Sequence, residues 1–192
     1  MSRIVSFRQM KDGTKEDYEL LDAAEKAYAL GLADRVLAAL AHLDHSLEGY
    51  PVSRLGHSLQ AATRALRDHA DEEMVVAALL HDMGDELAPY NHAELAAAVI
   101  RPYVRPEVTW IVAQHGLFQN YYYVHHFGGD RNARDRLRDH PWYEACVHFC
   151  AAWDQSSFDP SYPSEPLATF EPMVRRIFAR TPHDPRYLAA DS

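Results

Sequence analysis

With 192 residues, 47% of them apolar or aromatic, the chain holds enough material for one domain with a sizeable core and too little for two. A formal charge of −9 argues against a nucleic-acid backbone as partner, and no apolar run approaches the roughly 20 residues that span a bilayer. The start, MSRIVSFRQMKDGTKEDY, lacks the apolar core of a secretory signal, and Cys146 and Cys150 read as buried free thiols, so a cytoplasmic protein is expected.

Taken in chain order, the sequence predicts helices nearly throughout. EDYELLDAAEKAYALG (16–31) shows an apolar rhythm of about 3.6 residues and ends on Gly31. ADRVLAALAHLDHSLEG (33–49) follows and stops at Gly49. Ser53 is placed to cap RLGHSLQAATRALRDHA (54–70), and Asp71 to cap EEMVVAALLHDM (72–83), with Gly84 as breaker. Asn91 precedes HAELAAAVIRPYV (92–104) as an N-cap, and Pro106 opens EVTWIVAQHGLFQ (107–119). A looser region (120–140) leads to Pro141, which opens WYEACVHFCAAWDQS (142–156). The Pro/Ser-rich FDPSYPSEP (158–166) is too short for a domain linker, and EPLATFEPMVRRIFAR (165–180) closes the series. Strand and hairpin signals are absent, so the expected architecture is all-α, one helical domain over 1–192.

Twelve histidines stand out, because imidazole is the commonest metal ligand. Position selects among them. His57 sits among Leu55, Leu59, Ala61 and Ala62; His81 follows Ala77, Ala78 and Leu80; His115 follows Ile111, Val112 and Ala113. His92 begins an apolar helix, and Asp154 lies within FCAAWDQ. One histidine on an apolar face is usually a hydrogen-bonded core residue. Several such residues converging would each need a buried partner, which a divalent cation provides to all of them at once. Adjacent helical residues point about 100° apart, so His81 and Asp82 make a poor simple chelate. A carboxylate has two oxygens, however, so Asp82 can bridge two metals while His81 binds one.

His57, LLHDMGD and the distal Asp154 resemble the HD-domain superfamily, whose motif is a first His, an adjacent His-Asp pair and a distal Asp. His92 and His115 resemble the additional ligands of its two-metal branch. The resemblance covers about positions 50–160 and implies a single HD-domain helical bundle with a two-metal site between helices. The helices at 16–48 and 166–180 are expected to pack on that core. It further implies a first metal on His57, His81, Asp82 and Asp154, and a second on Asp82, His92 and His115. The stretches PVSRLGHSLQAATRA, HGLFQNYYY and FCAAWDQSSFDP are most similar to the mixed-valent diiron oxygenases, specifically their phosphonate-cleaving branch. That similarity implies two iron ions as Fe(II)/Fe(III), dioxygen and a small 1-hydroxyphosphonate as partners, and a part in phosphonate catabolism, with the oligomeric state left open. The wider superfamily offers a rival, a metal-dependent phosphohydrolase acting on a nucleotide or other phosphoester.

Substrate contacts are less legible. A quaternary ammonium group is best held by aromatic faces and carboxylates. Tyr121, Tyr122, Tyr123, Trp110 and Phe118 suit such a cage, or simply a packed core. Asp85 and Glu86 suit anionic contacts, or a solvated surface. Gln119, Asn120, Arg131 and Arg134 are candidates for the phosphonate, with surface salt bridging the alternative for the arginines. Some members of the branch carry a gating Tyr ten residues before the first ligand and a Glu seven before it. This chain has Leu47 and Tyr50 there, which leaves two alternatives: Tyr50 replaces the gate from a different place, or gating is absent. Four residues after the motif's His those members have His, where this chain has Asp85, a change that favours a cationic substrate.

Overall fold

The computed structural model describes residues 4–45 and 47–188; Ser46, inside the second expected helix, and both extremities of the expected 1–192 domain lie outside the described residues. Among these, every regular element is helical: α1 (Lys15–Leu30), α2 (Leu32–His42), α3 (Arg54–Arg67), α4 (Glu72–Leu80), α5 (His92–Ile100), α6 (Pro106–Tyr123), α7 (Tyr143–His148), α8 (Leu167–Phe178) and α9 (Pro185–Leu188), with several 3₁₀ turns. No helix is long and apolar enough to cross a membrane. Ser53 caps α3 by accepting from the Gly56 amide at 3.0 Å, and Asp71 caps α4 by accepting from the Met74 amide at 3.1 Å. Asn91 holds the N-cap position of α5 without a side-chain capping bond.

The core is built around α4. Met74 through Leu80 are all buried, so this helix is apolar on every side, as a helix enclosed by others must be. α3, α6 and α8 pack against it. Each buried leucine there contributes about 1.5–3 kcal/mol by leaving water. α4 ends at Leu80, three residues before its expected end, and His81 and Asp82 fall on a tight turn whose first bond runs from the Met83 amide to the Leu80 carbonyl at 3.0 Å.

α1 does not pack as expected. A capping box at Thr14 and Asp17 starts it, yet Asp17 is its only buried residue, and Tyr28 and Leu30 are exposed. Its larger apolar side chains do not gather on one covered face, since Leu20 and Leu21 are only half-buried while Tyr18, Tyr28 and Leu30 are exposed. α2, by contrast, buries Val36, Leu37 and Leu40.

Two further segments depart from the sequence reading. The region expected to be loose is ordered: α6 continues to Tyr123, and 3₁₀ turns follow at Val124–Phe127 and Ala133–Leu137. The last helix before Asp154 changes pitch, since α7 passes into a π-helical stretch, Phe149–Asp154, where the Gln155 amide bonds the Cys150 carbonyl at 3.0 Å. Such bulges recur at functional sites. The Pro/Ser-rich segment after it is fastened to α3. Gln60 exchanges two hydrogen bonds with the Asp159 backbone (2.9 and 3.2 Å), and Thr63 Oγ1 accepts from the Glu165 amide at 2.9 Å.

Candidate metal centre

His57 of α3, His81 and Asp82 of the turn after α4, His92 at the start of α5, His115 of α6 and Asp154 of the π stretch meet at one end of α4. All but His92 are at most 3% exposed. Three of the imidazoles are anchored by their Nδ1 atoms. His57 Nδ1 lies 3.0 Å from the Ser157 carbonyl, His81 Nδ1 2.8 Å from that of Ala78, and His115 Nδ1 2.6 Å from that of Val112. A carbonyl only accepts, so each Nδ1 donates and leaves Nε2 as the ligand atom.

Those Nε2 atoms face one another. His57 and His81 approach to 3.1 Å, and His92 and His115 to 3.2 Å. Two lone pairs at that distance repel unless a proton or a cation stands between them. Ligands at right angles about 2.1 Å from one ion stand about 3.0 Å apart, close to both separations. Asp82 joins the two pairs. Its Oδ2 is 3.3 Å from His57 Nε2 and 3.4 Å from His81 Nε2, while its Oδ1 is 3.3 Å from the Nε2 atoms of both His92 and His115. Asp154 Oδ1 completes the first group, 3.3 Å from His57 and 3.6 Å from His81. Asp154 Oδ2 is buried with no hydrogen-bond partner, a costly state for a carboxylate oxygen and one that a cation relieves. The side chains therefore fit a metal ion, and imidazole with carboxylate suits a first-row transition metal better than calcium or magnesium.

Without metal, protons take its place. Burial opposes charge on His57, but hydrogen bonding to Asp154 and Asp82 outweighs it and raises the imidazole from the ordinary 6.5 to about 9. Burial likewise opposes ionisation of Asp82, yet His81, His115, His57 and Arg54 hold it well below the usual carboxylate range. A raised imidazole contributes stability that is complete below its unfolded value and is lost as pH rises through its folded one. Chelator-treated protein should therefore lose thermal stability between about pH 6.5 and 9, and metal uptake at neutral pH should release protons. Melting curves across that window and metal titration in weak buffer measure both; a flat profile with no proton release would contradict this account.

Arg54 was not evident in the sequence. It is 7% exposed, and its Nη2 hydrogen-bonds Asp82 Oδ2 while Nε and Nη2 reach Asp85 Oδ2 at 2.6 and 2.5 Å. The signal was its place three residues before His57, on the same helix face. Asp85 is consequently not the free anionic contact expected of it: Arg54 neutralises one oxygen, and His92 Nδ1 lies 3.2 Å from the other.

A cavity of about 560 Å³ opens from the metal ligands. Of the candidate substrate contacts, Tyr50, Gln119, Tyr122 and Tyr123 line it, together with Phe127 and Phe158. Phe158 stacks on His57 at 4.5 Å and Tyr50 on Phe158 at 5.2 Å. Asn120 and Arg131 do not line this cavity. Asn120 is one helical step from Gln119, about 100° round α6. Arg131 lies over the Tyr121 ring at 4.2 Å, as does Arg134 at 3.9 Å. Phe118 is core, and Trp110 stacks on His140 at 4.0 Å, so neither joins an aromatic cage. No protein-family model matches the chain, and no curated protein does.

Proposed function

We propose that the chain is an O₂-dependent oxygenase with two iron ions, Fe(II)/Fe(III), that cleaves the carbon–phosphorus bond of a 1-hydroxyphosphonate. The proposed substrate is 1-hydroxy-2-(trimethylammonio)ethylphosphonate, converted with one O₂ to glycine betaine, phosphate and a proton. The observation that carries the proposal is the division of Asp82, each of whose oxygens serves a different pair of imidazoles. His57, His81, Asp154 and Asp82 Oδ2 would hold one ion; His92, His115 and Asp82 Oδ1 would hold the other. When bound, the iron pair supplies the redox chemistry with dioxygen that amino-acid side chains cannot.

The protein's own part is to bind and orient. The second group offers three donors against four in the first, so it is the one left open to the hydroxyl and phosphonate oxygens of a substrate. Tyr50, Tyr122, Tyr123, Phe127 and Phe158 present aromatic surface to the rest of the molecule, which suits a trimethylammonium group that donates no hydrogen bond. Arg54 is the only Lys or Arg among the lining residues, and Asp82 and Asp85 already occupy it. Phosphate or phosphonate oxygens would alike have to be held by the metal ions, so the aromatic lining is what favours the trimethylammonium substrate over a nucleotide.

Iron-loaded protein, offered a panel of hydroxyphosphonates, should release phosphate only with oxygen present, one phosphate and one glycine betaine per O₂ consumed. Oxygen-independent phosphate release from phosphoesters by manganese-loaded protein would replace this proposal with the hydrolytic one.

A further inference from the structure

His92 is held differently from the other three imidazoles of the site. They donate to main-chain carbonyls and are 0–2% exposed, whereas the His92 side chain is 25% exposed and its Nδ1 faces Asp85 Oδ1 at 3.2 Å. Asp85 Oδ2 in turn takes two guanidinium contacts from Arg54, at 2.5 and 2.6 Å, and the same guanidinium reaches Asp82 Oδ2. Since Asp82 Oδ1 lies 3.3 Å from His92 Nε2, the contacts close into a ring: His92, Asp85, Arg54, Asp82 and back to His92.

Asp85 is near enough to Asp82 and His92 to be taken for a metal ligand itself. Its contacts say otherwise. Oδ2 is committed to a buried cation, and Oδ1 meets the nitrogen of His92 turned away from Asp82. To ligate through either oxygen, Asp85 would have to release Arg54 or His92. We propose that Asp85, clamped by Arg54, is a positioning residue that fixes the His92 ring and sets how tightly the group His92, His115 and Asp82 Oδ1 holds its ion. This rests on the two-ion proposal above. A carboxylate accepting from one imidazole nitrogen fixes the tautomer and strengthens the other nitrogen as a donor; losing such a partner typically costs about 10–100-fold in metal affinity. His92, at the cavity edge and without the main-chain carbonyl that anchors each of the other three imidazoles, has the most to lose.

The test is anaerobic titration of the full-length chain with Co(II), followed by its visible spectrum and by total metal content. Wild type should bind two ions. Asp85→Asn should bind the first with unchanged affinity and the second about 10–100-fold more weakly. At saturation its spectrum should match wild type, because no ligand atom has been removed. Arg54→Lys, which loosens the clamp on Asp85 and also the contact to Asp82 Oδ2, should weaken both ions, in contrast to Asp85→Asn. Equal affinity for both ions in Asp85→Asn would overturn the proposal, as would weakening of both ions together in that variant, or an altered saturated spectrum that would make Asp85 a ligand. A single ion in wild type would overturn the two-ion proposal and this one with it.

Discussion

Asp82→Ala should empty both halves of the metal centre at once. Among the described residues, no other side chain serves both pairs of imidazoles: Asp82 Oδ2 lies 3.3 and 3.4 Å from His57 and His81, and Oδ1 lies 3.3 Å from both His92 and His115. Asp154→Ala removes an oxygen from the first group alone, and His92→Ala a nitrogen from the second alone, so each should cost mainly its own ion. The activity loss in Asp82→Ala should exceed the roughly 10–100-fold that follows loss of an outer-shell partner. Removing one member of a buried ion pair typically costs about 3–5 kcal/mol, but Arg54 keeps Asp85, so the metal-free variant should remain folded near the lower end of that range. Asp82→Asn preserves the shape and separates lost ligation from lost packing. Metal content and melting temperature are the measurements. Two ions retained in Asp82→Ala would show that the carboxylate does not bridge.

Gly84→Ala should have the next largest effect, through backbone rather than ligand chemistry. A Cβ at position 84 would stand 2.6 Å from the His92 carbonyl oxygen and 2.9 Å from its Cα, closer than atoms approach and against main chain that cannot swing aside. The turn carrying Asp82 and the start of α5 would have to separate. Overpacking of this kind costs about 1–3 kcal/mol, or roughly 2–12 °C of melting temperature in a domain this size. Because the displaced residue is His92, the second ion should be lost preferentially, with the first retained on His57, His81 and Asp154. An unchanged melting temperature with two ions bound would mean that the close approach at Gly84 is not needed.

How legible the site was differs residue by residue. The helices could be read because caps and apolar rhythm are local, and the six ligand-type residues because an ionisable side chain within an apolar run is conspicuous. Arg54 is only faintly marked by its place three residues before His57: an arginine beside the turn YPVS reads as surface, and only folding brings Asp82 and Asp85, some thirty positions later, against it. For the same reason Asp85 was read as a free anion. FDPSYPSEP reads only as a stretch too short for a domain linker, yet Phe158 walls the cavity, because the bonds from Gln60 and Thr63 that seat the segment span about a hundred residues and leave no periodic trace. Asn120 and Arg131, candidates for the phosphonate, are turned elsewhere by the pitch of α6 and the stacking on Tyr121. The misjudgement of α1 has another origin, since apolar rhythm reports a face and not whether anything covers it.

The change of pitch ahead of Asp154 makes helix winding, and not only side-chain identity, part of what brings the six candidate ligands together. A π turn carries one residue more than the α turn it replaces, so excising one position between Phe149 and Trp153 would let the helix relax to ordinary winding. That relaxation would keep the aspartate close to its present angle, whereas winding the same residues as an ordinary α-helix with none removed would carry it round the axis, away from His57 and His81. A chain that keeps all six residues but winds this stretch as α-helix would thus bear the signature of the site without its geometry.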